Sequence, residues 1–188
     1  MLVIFSAFLL SGVATQAPTS CPAAPQPMPP AIESAGEPPL ASGLIAFAAT
    51  PSRALDQAWV VRVSHRGDAA TLEIVRLLRR SACNVWNVER RWQSPLSMES
   101  YRAVAEAVRP WAAPPAGFPV NQGTAGLALD GTGLELRVST SAGWQVTRTL
   151  NHYGANGADL SAIFHALVAR YVPPAELPAD DWTPRRRR

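Results

Sequence analysis

The densest group of residues that could carry chemistry lies at 151–159, which reads NHYGANGAD. Histidine is the side chain best suited to proton transfer near neutral pH, and His152 adjoins Tyr153, so a catalytic centre is the first hypothesis for this stretch. Asparagine and glycine are also what a turn between a strand and a helix requires. We therefore predict a recognition loop in which His152, Tyr153 and Asn156 contact a partner.

The sequence carries none of the short motifs that identify an enzyme class. No GxSxG, HExxH, GxxxxGK[ST] or GxGxxG segment occurs. Cys83 and His152 could form a nucleophile and base only if the fold joined them, and one such pair is weak evidence. Neither cysteine has CxxC or CxH spacing, so no metal site and no cofactor are predicted. We predict a protein that is not an enzyme, and an unrecognised hydrolase remains the less favoured alternative.

Tryptophan and arginine form a second candidate surface. Trp92 follows Glu-Arg-Arg, and Trp111 lies just beyond a predicted helix end, so we expect either ring to be partly exposed. Exposed aromatic rings beside arginine are typical of the residues that dominate protein–protein binding energy. Trp92, Trp111 and Arg91 are therefore predicted to contact another protein, although such rings also stack on sugars or pack in a core.

The positive charge of the chain is concentrated at one end. The formal net charge is +3, and Arg185, Arg186, Arg187 and Arg188 supply four of the positive charges. The rest of the chain is nearly neutral, so it does not present the basic face that nucleic-acid binding requires. We predict a protein partner and no nucleic acid.

The N-terminus has the pattern of an export signal. Residues 1–17 contain an apolar run from Leu2 to Leu10, which is too short for the roughly 20 residues of a membrane span. Cleavage after Ala14 would place Gly12 and Ala14 at the small-residue positions. The segment lacks Lys and Arg before the apolar run, so an uncleaved anchor is the alternative. We predict a periplasmic or secreted protein, with membrane anchoring through the N-terminus as the alternative.

The two cysteines allow one intramolecular pairing. In an oxidising compartment, a disulfide between Cys21 and Cys83 would join the N-terminal stretch to the folded domain. Cys21 also follows an apolar segment, as the lipidated cysteine of bacterial lipoproteins does. Pro18 stands where a lipidation signal has a large aliphatic residue, so lipidation is the less favoured reading.

Composition divides the remaining chain into three parts. Residues 18–41 are rich in proline and alanine and predict a linker. Residues 42–173 contain the periodic apolar patterns and predict one domain. Residues 174–188 follow a proline pair, end in four arginines and predict a disordered basic tail.

Within the domain, two runs of strands are each followed by a helix. GLIAFAAT predicts a strand buried on both faces, and AWVVRVS alternates with the two-residue period of a strand. Further strands are predicted at 71–78, 84–92, 125–129, 134–139 and 144–150. SPLSMESYRAVAEAVRP has helical spacing, with Ser97 as its cap and Pro110 at its end. A closing helix follows Asp159, its predicted N-cap.

These elements predict an α+β fold with an antiparallel sheet and both amphipathic helices on one face of it. LEIVRLLRRSACNVWNVERR and LELRVSTSAGWQVTRT share a Leu-Glu start, a small-residue turn and a later tryptophan. That likeness raises the hypothesis of an internal ββ(β)α duplication.

The order of elements from Gly43 to Val172, with LSMESYRAVAEAV as its first helix, resembles the layout of small secreted inhibitors of thermolysin-type metalloproteases. The glycine pair that those proteins carry near their first strand is absent, because the sequence here reads GLIAFAATPSRALDQ. The resemblance implies an inhibitor-like architecture, and it assigns no residue a role.

Together these features predict a non-catalytic, exported binding protein of the bacterial cell envelope, of an inhibitor or immunity type. The alternative is a tethered accessory or structural module of the envelope, for which the proline-rich stretch would serve as the tether.

Overall fold

A computed structural model of the chain describes residues 30–36, 42–51, 56–80, 83–112, 132–139, 145–151, 158–179 and 182. The strands are β1 (Ser42–Thr50), β2 (Gln57–Arg66), β3 (Ala69–Arg80), β4 (Val85–Leu96), β5 (Gly133–Ser139) and β6 (Gln145–Asn151). The helices are α1 (Ala31–Ser34), α2 (Met98–Ala112) and α3 (Ala158–Tyr171), and a 3₁₀ turn follows at Pro174–Glu176. The strand predicted at 125–129 lies outside the described residues.

The described strands form one antiparallel sheet in the order β4-β3-β2-β1-β5-β6. The first four strands are sequential neighbours, and β5 pairs with the free side of β1, so the first strand lies inside the sheet. That position explains its uninterrupted apolar run, because residues 44–49 are buried on both faces. The predicted α+β class with an antiparallel sheet is confirmed.

The face of the sheet that packs against α2 and α3, called the first face below, carries the larger core. Alternate residues such as Phe47, Trp59 and Ile74 point to this side and pack with apolar residues of both long helices. Phe47 stacks face to face on Phe164 of α3, with 4.4 Å between ring centroids. The internal duplication stays a hypothesis.

The helix termini agree with their sequence signals only in part. Ser97 caps α2, because its hydroxyl accepts a hydrogen bond from the Ser100 backbone N–H at 3.1 Å. Pro110 was predicted to end this helix, but the helix continues to Ala112. A proline in the last turn removes one backbone hydrogen bond, and this costs less there than in the interior. Helix α3 begins at Ala158, so Asp159 lies inside its first turn.

Packed chain extends beyond both predicted boundaries of the domain. Residues 30–36 fall within the stretch assigned to the linker, yet they form α1 and bury Ala31, Ile32 and Ala35 against the second face of the sheet. At the other end, Trp182 falls within the stretch assigned to the tail and is only 1% exposed. Its ring lies 6.2 Å from Phe47 and 6.4 Å from Trp59.

Candidate functional site: a polar frame that holds a helical turn

The second face of the sheet is built to receive α1. Two alanines of the central strand, Ala46 and Ala48, form its floor beside Val60 and Val75. Alanine side chains keep this floor low, so the backbone of a helical turn can approach the sheet closely. Ile32, which is 4% exposed, is the large apolar side chain that α1 contributes to the contact.

A network of charges borders this floor on one side, and its members Arg62 and Glu73 are buried whereas Arg91 is exposed. Glu73 accepts hydrogen bonds from Arg62 Nη1 at 2.9 Å and from Arg91 Nη1 at 2.6 Å. Gln93 Nε2 lies 3.4 Å from the same carboxylate. Both oxygens of Glu73 are therefore occupied, and the two guanidinium groups are held in fixed positions.

The two arginines direct their Nη2 groups at the carbonyl end of α1. Arg62 Nη2 donates to the backbone oxygens of Ile32 at 3.0 Å and Gly36 at 2.5 Å. Arg91 Nη2 donates to the oxygen of Ala35 at 2.7 Å. The neighbouring carbonyls of Pro30, Ala31 and Glu33 accept bonds within the turn itself, so the arginines take oxygens that the turn leaves open.

Glu135 of β5 binds the opposite end of α1. Its carboxylate accepts hydrogen bonds from the backbone N–H groups of Ala31 at 3.0 Å and Ile32 at 3.2 Å. The residue before the turn is Pro30, and α1 has no side-chain cap of its own. A carboxylate from a distant strand therefore does the work that a Ser or Asp usually does at a helix start. The frame thus places negative charge at the N-terminus of the turn and positive charge at its C-terminus, which matches the helix dipole.

The electrostatics of Glu73 follow from this arrangement. Burial by itself raises the pKa of its carboxyl, but the hydrogen bonds and charges of Arg62 and Arg91 outweigh burial and hold the pKa below the usual value of 4.5. Glu73 is therefore ionised at neutral pH, as its role between two guanidinium groups requires.

Trp92 lies on the other face of the sheet, in a stack of aromatic and cationic groups. Its ring packs on Trp59 with 5.7 Å between centroids and an interplanar angle of 13°. The guanidinium carbons of Arg76 and Arg90 lie 5.9 Å and 5.7 Å from the Trp92 ring. Arg90 also forms a 2.8 Å ion pair with Glu176 of the 3₁₀ turn, and its side chain remains 55% exposed.

The predicted contact residues do not form one surface. Arg91 and Trp92 are adjacent in sequence and point to opposite faces of the sheet, because side chains alternate along a strand. Arg91 belongs to the frame that binds α1, whereas Trp92 belongs to the aromatic stack. Trp111 is partly buried against the main core at the end of α2. His152, Tyr153 and Asn156 lie outside the described residues.

Sequence reasoning missed Arg62, Glu73 and Glu135, which form most of the frame. Arg62 and Glu73 each lie between two apolar neighbours within a strand, and that was the available signal. A charge within a buried strand needs a partner, and these two residues face each other across β2 and β3. The bonds from the frame to α1 and Gly36 had no local signal, because they join residues 26 or more positions apart.

The two described histidines have structural surroundings. The His65 ring meets Tyr101 edge-on at 4.8 Å, and the Tyr101 hydroxyl donates a 2.7 Å hydrogen bond to the Gly43 backbone oxygen. Burial raises the pKa of that hydroxyl. The His165 ring meets Trp182 edge-on at 5.1 Å. Neither histidine belongs to a group of three or more metal-ligating side chains within the described residues.

The turn between β3 and β4 carries the described cysteine and a shallow depression. Cys83 is disulfide-bonded, and the chain has one other cysteine, Cys21, which lies outside the described residues. A depression of about 400 Å³ beside this turn is lined by Leu78, Arg79, Arg80, Asn87, Val88 and Glu89. Val88 is 43% exposed. The lining offers no grouping of catalytic side chains.

Comparisons with known proteins assign no family to the chain. No protein-family model matches the sequence, and no curated protein or solved structure matches it either. The resemblance in layout to metalloprotease inhibitors thus gains no support from a structural neighbour. None of the helices in the described ranges is both long and apolar enough to span a bilayer.

Proposed function

We infer that this chain is a non-catalytic, exported binding protein of the bacterial cell envelope, with another protein as its partner. The observation that carries the inference is the Trp92 surface, which we define as Trp92, Arg76 and Arg90. The stack on Trp59 holds the Trp92 ring in place, so little conformational entropy would be lost when a partner covers it. Ordered tryptophan flanked by arginine is the composition of interface hot spots.

The position of this surface also supports protein recognition. Trp92 and Arg90 lie on β4, which is an edge strand of the sheet and pairs only with β3 among the described strands. Export is supported by the apolar N-terminal segment and by the disulfide at Cys83, since disulfides persist in oxidising compartments.

Site-specific photocrosslinking in the native host tests this function. A photoreactive amino acid replaces Ser94, which lies on the same face of β4 as Trp92 but outside the Trp92 surface. The matched control carries it at Arg109, an exposed position on α2. We expect one discrete protein adduct from position 94 and none from position 109. Adding Arg90→Glu should remove the adduct, because it reverses the charge beside Trp92.

Two outcomes would count against the proposal. Equal adducts from positions 94 and 109 would indicate nonspecific proximity, and the absence of any adduct from position 94 would favour the tethered accessory module. Circular dichroism of each purified variant verifies that the fold is retained.

A further inference from the structure

We propose that the second face of the sheet is a binding site for a helical turn of another polypeptide, and that α1 occupies this site as an intramolecular competitor. The proposal rests on the proposed function, because it names a second contact site and the kind of segment that it takes. The site consists of the alanine floor, Glu135 at one end and the Arg62–Glu73–Arg91 network at the other.

The frame recognises the backbone of α1. Five hydrogen bonds join it to α1, and all five end on backbone atoms of the turn, namely two N–H groups and three carbonyl oxygens. One further bond joins side chains, from Arg137 to Glu33, and it is exposed. Every helical turn carries the same backbone groups, so the frame can bind a turn of different sequence.

The site requires particular side chains at four positions of the segment that it binds. Ala31 and Ala35 face the sheet and are at most 1% exposed, and Ile32 fills the apolar contact. Gly36 adopts a left-handed conformation with φ of +83°, which ends the turn and presents its carbonyl to Arg62. A competing segment therefore needs small residues at the first and fifth positions, an aliphatic residue at the second and glycine at the sixth.

Helix α1 is stable only while it is docked on the sheet. A helix of four residues is far below the length at which an isolated helix persists in water. Residues 30–36 take no part in the sheet, and their contacts with it are made by side chains and by the polar frame. Such a segment opens locally without unfolding of the sheet, which makes the site accessible to a competitor.

Docking of α1 and binding of a free helical turn compete for the same site, so the strength of docking determines the apparent affinity for the free turn. A segment tethered to its own site has an effective concentration on the order of millimolar, so the intact chain should bind a free turn weakly. Weakening the docking of α1 should restore the intrinsic affinity of the site for a free turn.

The test uses the full chain with Ile32→Asp, which places a charge in the apolar contact and releases α1. The probe is a fluorescein-labelled peptide of residues 29–37, PPAIESAGE, measured by fluorescence anisotropy. We expect the peptide to bind the released chain at least about tenfold more tightly than the wild-type chain. Adding Glu135→Gln to the released chain should weaken binding again, because it removes charge from the acceptor of two N–H groups.

A second peptide tests whether the site accepts other sequences. It carries Glu33→Gln and Ser34→Lys, which leaves unchanged the four positions that the site requires. We expect its affinity to lie within about tenfold of that of the first peptide, since the changed side chains lose only two exposed contacts, that of Glu33 with Arg137 and that of Ser34 with the Pro30 backbone oxygen. A peptide with Ile32→Asp should not bind.

The proposal is overturned if neither peptide binds the released chain, or if the wild-type and released chains bind equally. If Ile32→Asp prevents folding, native-state hydrogen exchange on the wild-type chain decides instead. The amides of Ala31 and Ile32 should exchange through local opening, faster than those of β1. Exchange of both only through global unfolding would make α1 an integral part of the fold and overturn the proposal. Neither the peptide-binding measurement nor the hydrogen-exchange measurement involves the Trp92 surface. Failure of the proposal about α1 would therefore leave the crosslinking result unaffected.

Discussion

Arg62 and Glu73 face each other directly across β2 and β3 and form a 2.9 Å ion pair whose side chains are 3% and 8% exposed. Removing two charges from water costs several kcal/mol per ion, and their attraction offsets this only when further hydrogen bonds satisfy the remaining groups. Arg91 and the backbone of α1 supply most of those bonds, and Arg62 Nε is buried without a partner among the described residues. The ion pair therefore specifies where the N-terminal turn docks more than it stabilises the sheet.

Breaking this pair should be costly. We expect Glu73→Gln to lower the free energy of unfolding by about 3–5 kcal/mol, because Arg62 and Arg91 would lose their counter-ion while Arg62 remained buried. Urea denaturation measures the change. The matched control is Glu106→Gln, which removes an exposed ion pair with Arg109 and should change stability by about 0–1 kcal/mol. Equal losses for the two variants would contradict a special role for the buried pair.

The same carboxylate predicts a loss of stability in acid. The folded pKa of Glu73 is lowered, so the unfolded chain binds its proton more readily. Its contribution is fully present above the usual value of 4.5 and is lost as the pH falls through the lowered folded pKa. We expect thermal unfolding of the wild type to become more acid-sensitive in that window than unfolding of Glu73→Gln. Parallel pH profiles for the two proteins would disprove this assignment.

Gly43 and Gly67 provide a matched test of steric fit, because both have φ of +58°. A Cβ at Gly43 would lie 2.8 Å from atoms of the His65 ring and closer still to the Tyr101 hydroxyl, whereas a Cβ at Gly67 meets nothing within 4 Å. We expect Gly67→Ala to cost about 1–2 kcal/mol from backbone strain alone, and Gly43→Ala to cost clearly more. Thermal denaturation of both variants measures the difference. Similar melting temperatures would show that the Tyr101 side chain shifts at little cost to relieve the clash.

Trp182 should stabilise the fold although it lies within the predicted tail. Its ring is nearly fully buried among aromatic residues of the main core, so we expect Trp182→Ala to lower stability by about 3–5 kcal/mol. Deletion of the four terminal arginines is the control, and we expect no change from it because charge runs of this kind are usually solvated. Denaturant unfolding distinguishes the two. If Trp182→Ala left the free energy of unfolding unchanged, the folded domain would end near residue 173, as the sequence predicts.

The disulfide at Cys83 should constrain the N-terminal stretch. If its partner is Cys21, the bridge closes a loop of about 60 residues, and Cys83→Ser should lower stability by about 4 kcal/mol. Peptide mapping under nonreducing conditions should yield one linked fragment that contains both cysteines. Two free thiols in the purified oxidised protein would contradict the pairing. Native-state hydrogen exchange should also show faster opening of α1 in Cys83→Ser.

The sequence by itself determined the strand pattern, the two long helices and the α+β class. These follow from local periodicity, since alternating apolar residues produce strands and a helical stripe produces helices wherever a core is available. The uninterrupted apolar run of β1 also indicated its position inside the sheet, because a strand buried on both faces must be apolar throughout. The cap at Ser97 also needed only local information.

Tertiary structure alone decided the candidate site. Glu135 reaches Ala31 across more than a hundred residues, and Trp182 enters the core from a stretch that resembles a tail in composition. Such contacts depend on which strands become neighbours and on how low the alanine floor lies, and local sequence patterns carry neither. Arg91 and Trp92 illustrate the difference. Their types indicated a contact role, but only the alternation of a paired strand sends one to the frame around α1 and the other to the Trp92 surface.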